Sequence, residues 1–245
     1  MKSFLKLTWI ELKLQTREPV GLFFTLAFPV MLMVLFGTVF GNASDSLFNG
    51  FGQVDLSVPG YIGMIIGTIG MVSIPVTLSN YREQGVLRRY RATPLKSGSV
   101  LWSQVAVQVV MTAVGIALLL IVGTLFYDLR LPQGNVLIVP AILLGAFSFF
   151  ALGFVLAGVL PTPRTAQAVG MALFYPMLFL SGAAMPRYMM PENLRQIAEM
   201  LPLTHVVILL EDLWFTGTWN LTSIAVIMIV LIFGLIISRY TFRWE

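Results

Sequence analysis

The stretch Tyr81–Leu95, YREQGVLRRYRATPL, decides the fold. It holds four arginines (Arg82, Arg88, Arg89 and Arg91) and Glu83, between two long uncharged segments, Leu56–Tyr81 and Ser97–Tyr127. An arginine at the centre of a membrane helix costs about 2.5–3.5 kcal/mol on the insertion scale, so four together would cost about 10 kcal/mol. The stretch therefore reads as a water-exposed loop between two membrane crossings. Its basic character places it in the cytoplasm.

Composition agrees. Of 245 residues 58% are hydrophobic and 11% charged, with a mean hydropathy of +0.88. A soluble domain carries about 25% charged residues, so the chain reads as an all-α polytopic membrane protein. The net charge of +4 is divided among loops and reflects topology; no nucleic-acid partner is expected. Without cysteine there is no disulfide, thiolate metal site or cysteine nucleophile. The charged residues Lys2, Lys6, Glu11, Lys13, Arg17 and Glu18 interrupt the first segment, so no cleavable signal peptide is expected.

Outward from the arginine loop, six uncharged stretches are long enough to span: Pro19–Ser44, Leu56–Tyr81, Ser97–Tyr127, Leu131–Pro163, Thr165–Pro186 and Leu213–Ser238. Within them the crossings are expected at about 20–41, 58–79, 101–126, 137–160, 166–185 and 218–238. Twelve of the 15 lysines and arginines fall in the N-terminus, the loop before Ser97, the turn at Arg164 and the tail. The alternate loops hold only Arg130, Arg187 and Arg195, beside seven acids. Both termini are therefore expected in the cytoplasm. Residues 1–18 read as an interfacial helix, with Phe4, Leu7, Ile10 and Leu14 towards lipid and Lys2, Lys6, Lys13 and Arg17 on one polar stripe. Residues 186–212 read as two short helices on or dipping into the outer leaflet, with Pro191 opening the first and Pro202 stopping it. Gly63, Gly67 and Gly70 read as a helix-packing face.

Much chemistry is missing. No phosphate-binding G-x-x-x-x-G-K-[ST] occurs, so the chain does not hydrolyse ATP unaided. His205 is the single histidine and reads as a packed or interfacial residue, and no metal site is expected. The six stretches carry no acid or base, against ion-coupled transport and a charge-ringed channel. That favours movement of an amphiphile, with energy supplied from elsewhere. In the arginine loop, Glu83-Gln84-Gly85 reads as the start of a short helix through Tyr90, ended before Pro94. Its residue types suit either a docking surface for a partner protein or simple orientation of the chain.

The motif E-x-G-x-L-x-R-x-R-A-T-P-L (Glu83, Gly85, Leu87, Arg89, Arg91, Ala92, Thr93, Pro94, Leu95) resembles the coupling helix of type-2 ABC exporter permeases. Arg17-Glu18-Pro19, Thr162-Pro163-Arg164, and Ser181-Gly182 with Pro186, Pro191 and Pro202-Leu203-Thr204 resemble other landmarks of that family, in order along essentially the whole chain. The resemblance implies a single permease domain over 1–245, an exporter in a prokaryotic plasma membrane. The family includes drug, lipid, polysaccharide and ion exporters, and the uncharged, Met- and Phe-rich pathway points to a drug, antibiotic or lipid. The resemblance also implies a second permease copy or a sister permease, and a separate ATP-binding subunit that carries ATP and Mg; no cofactor is expected on this chain. The coupling contact would use Glu83, Gly85, Leu87, Arg88, Arg89, Tyr90, Arg91 and Pro94 in the 81–95 loop. Arg17 and Glu18 would make a second cytoplasmic contact. Met64, Met71, Phe174, Met177 and Phe179 would lie near the substrate. A passive channel or a membrane scaffold not coupled to ATP is the alternative.

Overall fold

The computed structural model describes residues 2–44, 50–86, 89, 97–132, 137–184 and 190–241, and all regular structure among them is helical. α1 (Lys2–Gln15) precedes a first long helix built from α2 (Pro19–Leu22), a π-helical turn (Phe23–Ala27) and α3 (Phe28–Phe40). A second is built the same way: α4 (Gln53–Thr68), a π-turn (Ile69–Ser73) and α5 (Ile74–Glu83). Then come α6 (Ser97–Tyr127), α7 (Ile138–Val159), α8 (Pro163–Leu180), the short α9 (Glu192–Ala198), α10 (Pro202–Phe215) and α11 (Leu221–Thr241).

The two π-turns share one cause. Each ends two residues before a proline, Pro29 and Pro75. Proline supplies no N–H and its ring crowds the carbonyl four residues back, here Thr25 and Met71. A widened turn accommodates the ring and leaves that carbonyl outside the usual ladder.

The α4–α5 helix is the buried axis of the bundle, with Val58, Ile62, Ile65, Ile66 and Ile69 fully enclosed. Its π-turn is gripped by backbone on both sides. A Cβ on Gly70 would lie 2.6 Å from the Phe149 carbonyl of α7, and the Met71 carbonyl points at Gly170 of α8. Gly63 meets Val207 of α10 and Gly67 meets Phe174 of α8, so these glycines serve helix packing. α11 closes against α7, where a Cβ on Gly234 would come within 2.8 Å of Ala151.

One end of the bundle is fastened around Asp55, which is fully buried. Its carboxylate accepts from the backbone of Gly52 (3.0 Å) and Arg130 (3.0 Å) and from Asn42 Nδ2 (3.2 Å). Asn42 also donates to the Tyr127 carbonyl, and Trp214 Nε1 donates to that of Arg130. Three segments distant in sequence meet there: 42–55, 127–130 and the end of α10 converge on one carboxylate whose charge would be costly if left unpaired.

The structure departs from the sequence reading in several places. Five helices among the described residues are long and apolar enough to cross a membrane, against six expected. The exception is α8, eighteen residues that include Arg164, Gln167 and Tyr175. The second long helix runs from Gln53 to Glu83, well beyond 58–79, because Asp55 and Arg82 are bonded inside protein at its two ends. Glu83 ends that helix instead of opening the next. Gly85 takes φ +68°, a left-handed stop, and a new turn starts after it, with the Arg89 N–H on the Gly85 carbonyl. On α1 Leu7 is buried with Glu11 and Gln15 instead of facing outward with Ile10 and Leu14, which are exposed as is Trp9. α10 lies inside the bundle: Leu203, Val206, Val207, Leu210 and Leu213 are all buried, and Pro202 begins it, α9 having already ended at Ala198. His205 is packed between the Glu199 carbonyl (2.9 Å from Nε2) and Ser223 Oγ (3.4 Å from Nδ1). A carbonyl only accepts, so Nε2 carries the proton.

Candidate functional site

At the opposite end of the α4–α5 axis from Asp55, the last turn of α5 is tied to three other elements. Tyr81 donates its hydroxyl to Glu11 of α1, and Gln104 of α6 donates to the same carboxylate oxygen at 2.8 Å. All three side chains are buried, Glu11 to 2% exposure. Leu7, Tyr81 and Val100 pack together there, with Val86 against them. Arg82 turns the other way. One guanidinium nitrogen donates to the Ala157 carbonyl at 3.0 Å, and the other to the carbonyl of Leu160. These carbonyls close α7, where the last four have no partner within their own helix. A cation is also favoured at that end by the helix dipole. Arg82 thus caps α7 at the turn that leads, through Thr162, into α8.

α8 in turn forms one wall of a cavity of about 420 Å³. Gln167, Met171, Phe174 and Tyr175 line it from α8. The two π-turn regions face each other across it, Phe24 and Phe28 on one side, Thr68, Val72, Ser73 and Val76 on the other. Arg17, Glu18 and Gly21 form its rim. Arg17 is exposed and Glu18 half-buried. Burial raises the Glu18 carboxyl above its usual range, since a desolvated carboxylate is disfavoured. Glu18 precedes α2 and lines the cavity beside Gly21, where an added Cβ would lie 3.9 Å from its Oε2.

The profile of the ABC-2 type transporter matches residues 2–215. The chain belongs to the ABC-2 type transporter family. Proteins described as transport permeases are similar along most of their length. The ycf38 protein of Cyanophora paradoxa is 29% identical over 229 residues, covering 89% of this chain and 75% of that one. The ycf38 protein of Porphyra purpurea is 27% identical over 213 residues, covering 84% and 72%. YvfS of Bacillus subtilis is 24% identical over 244 residues, covering 95% and 94%. As an ABC-2 permease the chain is a membrane subunit of an ABC transporter, a role that implies an ATP-binding partner subunit.

Within this permease, Leu87, Arg88, Tyr90, Arg91 and Pro94 lie outside the described residues. Glu83 and Arg89 are exposed, and Gly85 makes the turn between their helical segments. Arg17 and Glu18 sit together on the cavity rim. Phe174 lines the cavity, but Met64, Met71 and Met177 are buried in the core and Phe179 is 59% exposed. The sequence reading passed over Glu11, Tyr81, Arg82 and Gln104 as partners. A signal existed for one of them: Glu11 recurs at four-residue spacing with Leu7 and Gln15, the three residues that α1 buries.

Proposed function

We propose that this ABC-2 permease is the pathway-forming subunit of an ATP-driven exporter of amphiphiles. A separate ATP-binding subunit docks on Glu83, Gly85, Leu87, Arg88, Arg89, Tyr90, Arg91 and Pro94, in the cytoplasm, with both chain termini on the same side. A second copy of the chain or a sister permease completes the pathway. α8 makes the sixth crossing. Its eighteen residues rise about 27 Å, close to the hydrocarbon thickness of about 30 Å. Gln167 and Tyr175, which lower its apolarity, line the cavity.

The observation that carries this reading is the fastening of Tyr81 and Arg82, the two residues that lead into the docking segment. Motion of that segment reaches α1 and α6 through Glu11 and Gln104. Through the Arg82 cap it reaches the turn from α7 into α8, a wall of the cavity. The cavity walls are mainly apolar and aromatic with a charged rim, which supports an amphiphilic cargo.

The test is purification of tagged chain from its native membrane in mild detergent, followed by mass analysis. A P-loop ATPase in equal amount is expected, and lost when Arg88, Arg89 and Arg91 are all replaced by alanine. A chain that emerges alone overturns ATP coupling.

A further inference from the structure

We infer that the cavity between α2–α3, the second π-turn and α8 selects amphiphiles with a cationic head, with Glu18 as the counter-charge. This rests on the reading of that cavity as part of the export pathway.

The walls present four aromatic rings in two neighbouring pairs. Phe24 and Phe28 lie 5.7 Å apart on one side, Phe174 and Tyr175 5.9 Å apart on the other. Aromatic faces attract a cation, most strongly where it has lost its water. The rim supplies one partly desolvated carboxylate. Glu18 is held at the start of α2, where the helix end favours negative charge, and it lines the cavity. Its raised pKa reports the missing solvation that a bound cation would replace. Arg17, on the same rim, is exposed and keeps its water, so its field is screened more than that of half-buried Glu18. The polar groups inside, Thr68, Ser73 and Gln167, are uncharged and place no second formal charge beside the ligand.

The test uses the full chain in nanodiscs of zwitterionic lipid, with empty nanodiscs subtracted. Tetraphenylphosphonium and tetraphenylborate serve as probes, because they match in size and shape and differ in sign. Saturable binding of the cation is expected, with little of the anion. Glu18→Gln should weaken the cation by about tenfold, and Glu18→Asp, which keeps the charge, should preserve the cation's preference. Thermal unfolding of each variant checks that it is folded. Equal binding of both ions, or no effect of Glu18→Gln, overturns the charge assignment while leaving a cavity that binds. No saturable binding of either ion overturns the pathway reading of the cavity, and this inference with it.

Discussion

Replacing Arg82 is the sharpest probe of how the proposed docking segment is connected to the cavity. In Arg82→Ala the two bonds to the Ala157 and Leu160 carbonyls disappear, and the end of α7 loses its cap. A bond from a charged donor is worth about 1.5–3 kcal/mol in water-soluble proteins, and an interhelical bond in membranes about 0.6 and at most about 1.7 kcal/mol. The site is half-buried at the bundle end, so the loss should total about 1–3 kcal/mol. Local opening around residues 157–166 should rise by roughly 5- to 150-fold. Hydrogen exchange read by mass spectrometry in nanodiscs measures this directly, at the Leu160 amide on Leu156 and the Ala166 amide on Thr162. Arg82→Lys should recover part of the protection, because one ammonium cannot reproduce the guanidinium fork across two carbonyls. Exchange at 157–166 unchanged in Arg82→Ala would refute the cap, and with it the proposed route from the docking segment to α8.

Gly170→Ala should destabilise by about 1–3 kcal/mol, since its methyl group would be driven into the Met71 carbonyl; Gly21→Ala, with nothing nearer than 3.9 Å, should be neutral or gain up to about 1 kcal/mol of helix propensity. Thermal unfolding in detergent compares the two. Asp55→Asn puts an NH₂ among N–H donors and should cost about 2–4 kcal/mol, seen as a lower melting temperature and faster proteolysis near 41–52. Glu18 titrates above its ordinary value when folded, so the folded state binds the extra proton. Its contribution to stability is therefore present in full below the unfolded pKa and lost as pH rises through the raised one. Unfolding midpoints of wild type minus Glu18→Gln should fall with rising pH across that window, and a flat difference would contradict the burial of this carboxyl.

Charge and hydropathy made the membrane bundle and its long helices legible, because bilayer insertion penalises charge at any position along a span. They misjudged the exceptions, where protein replaces lipid as the surroundings. Glu11 looked like one more charge on an amphipathic helix, yet its partners Tyr81 and Gln104 lie 70 and 93 positions away. α8 is less apolar than the other long helices, and two of its polar residues, Gln167 and Tyr175, line a cavity, a fact no hydropathy sum contains. The cavity itself was missed for a geometric reason. Met64 and Met71 stand seven apart and would share a face on a regular helix. A π-turn adds a residue to the turn, which advances the helix by about 100° for everything after it. Pro75 places such a turn at Ile69–Ser73; Thr68 just before it and Val72, Ser73 and Val76 within and after it reach the cavity, while Met64 and Met71 stay in the core. The same offset between π-turn and proline recurs at Pro29, and it brings Phe24 and Phe28 to the opposite wall. The π-turns that precede the two prolines thus lie on facing walls of the cavity.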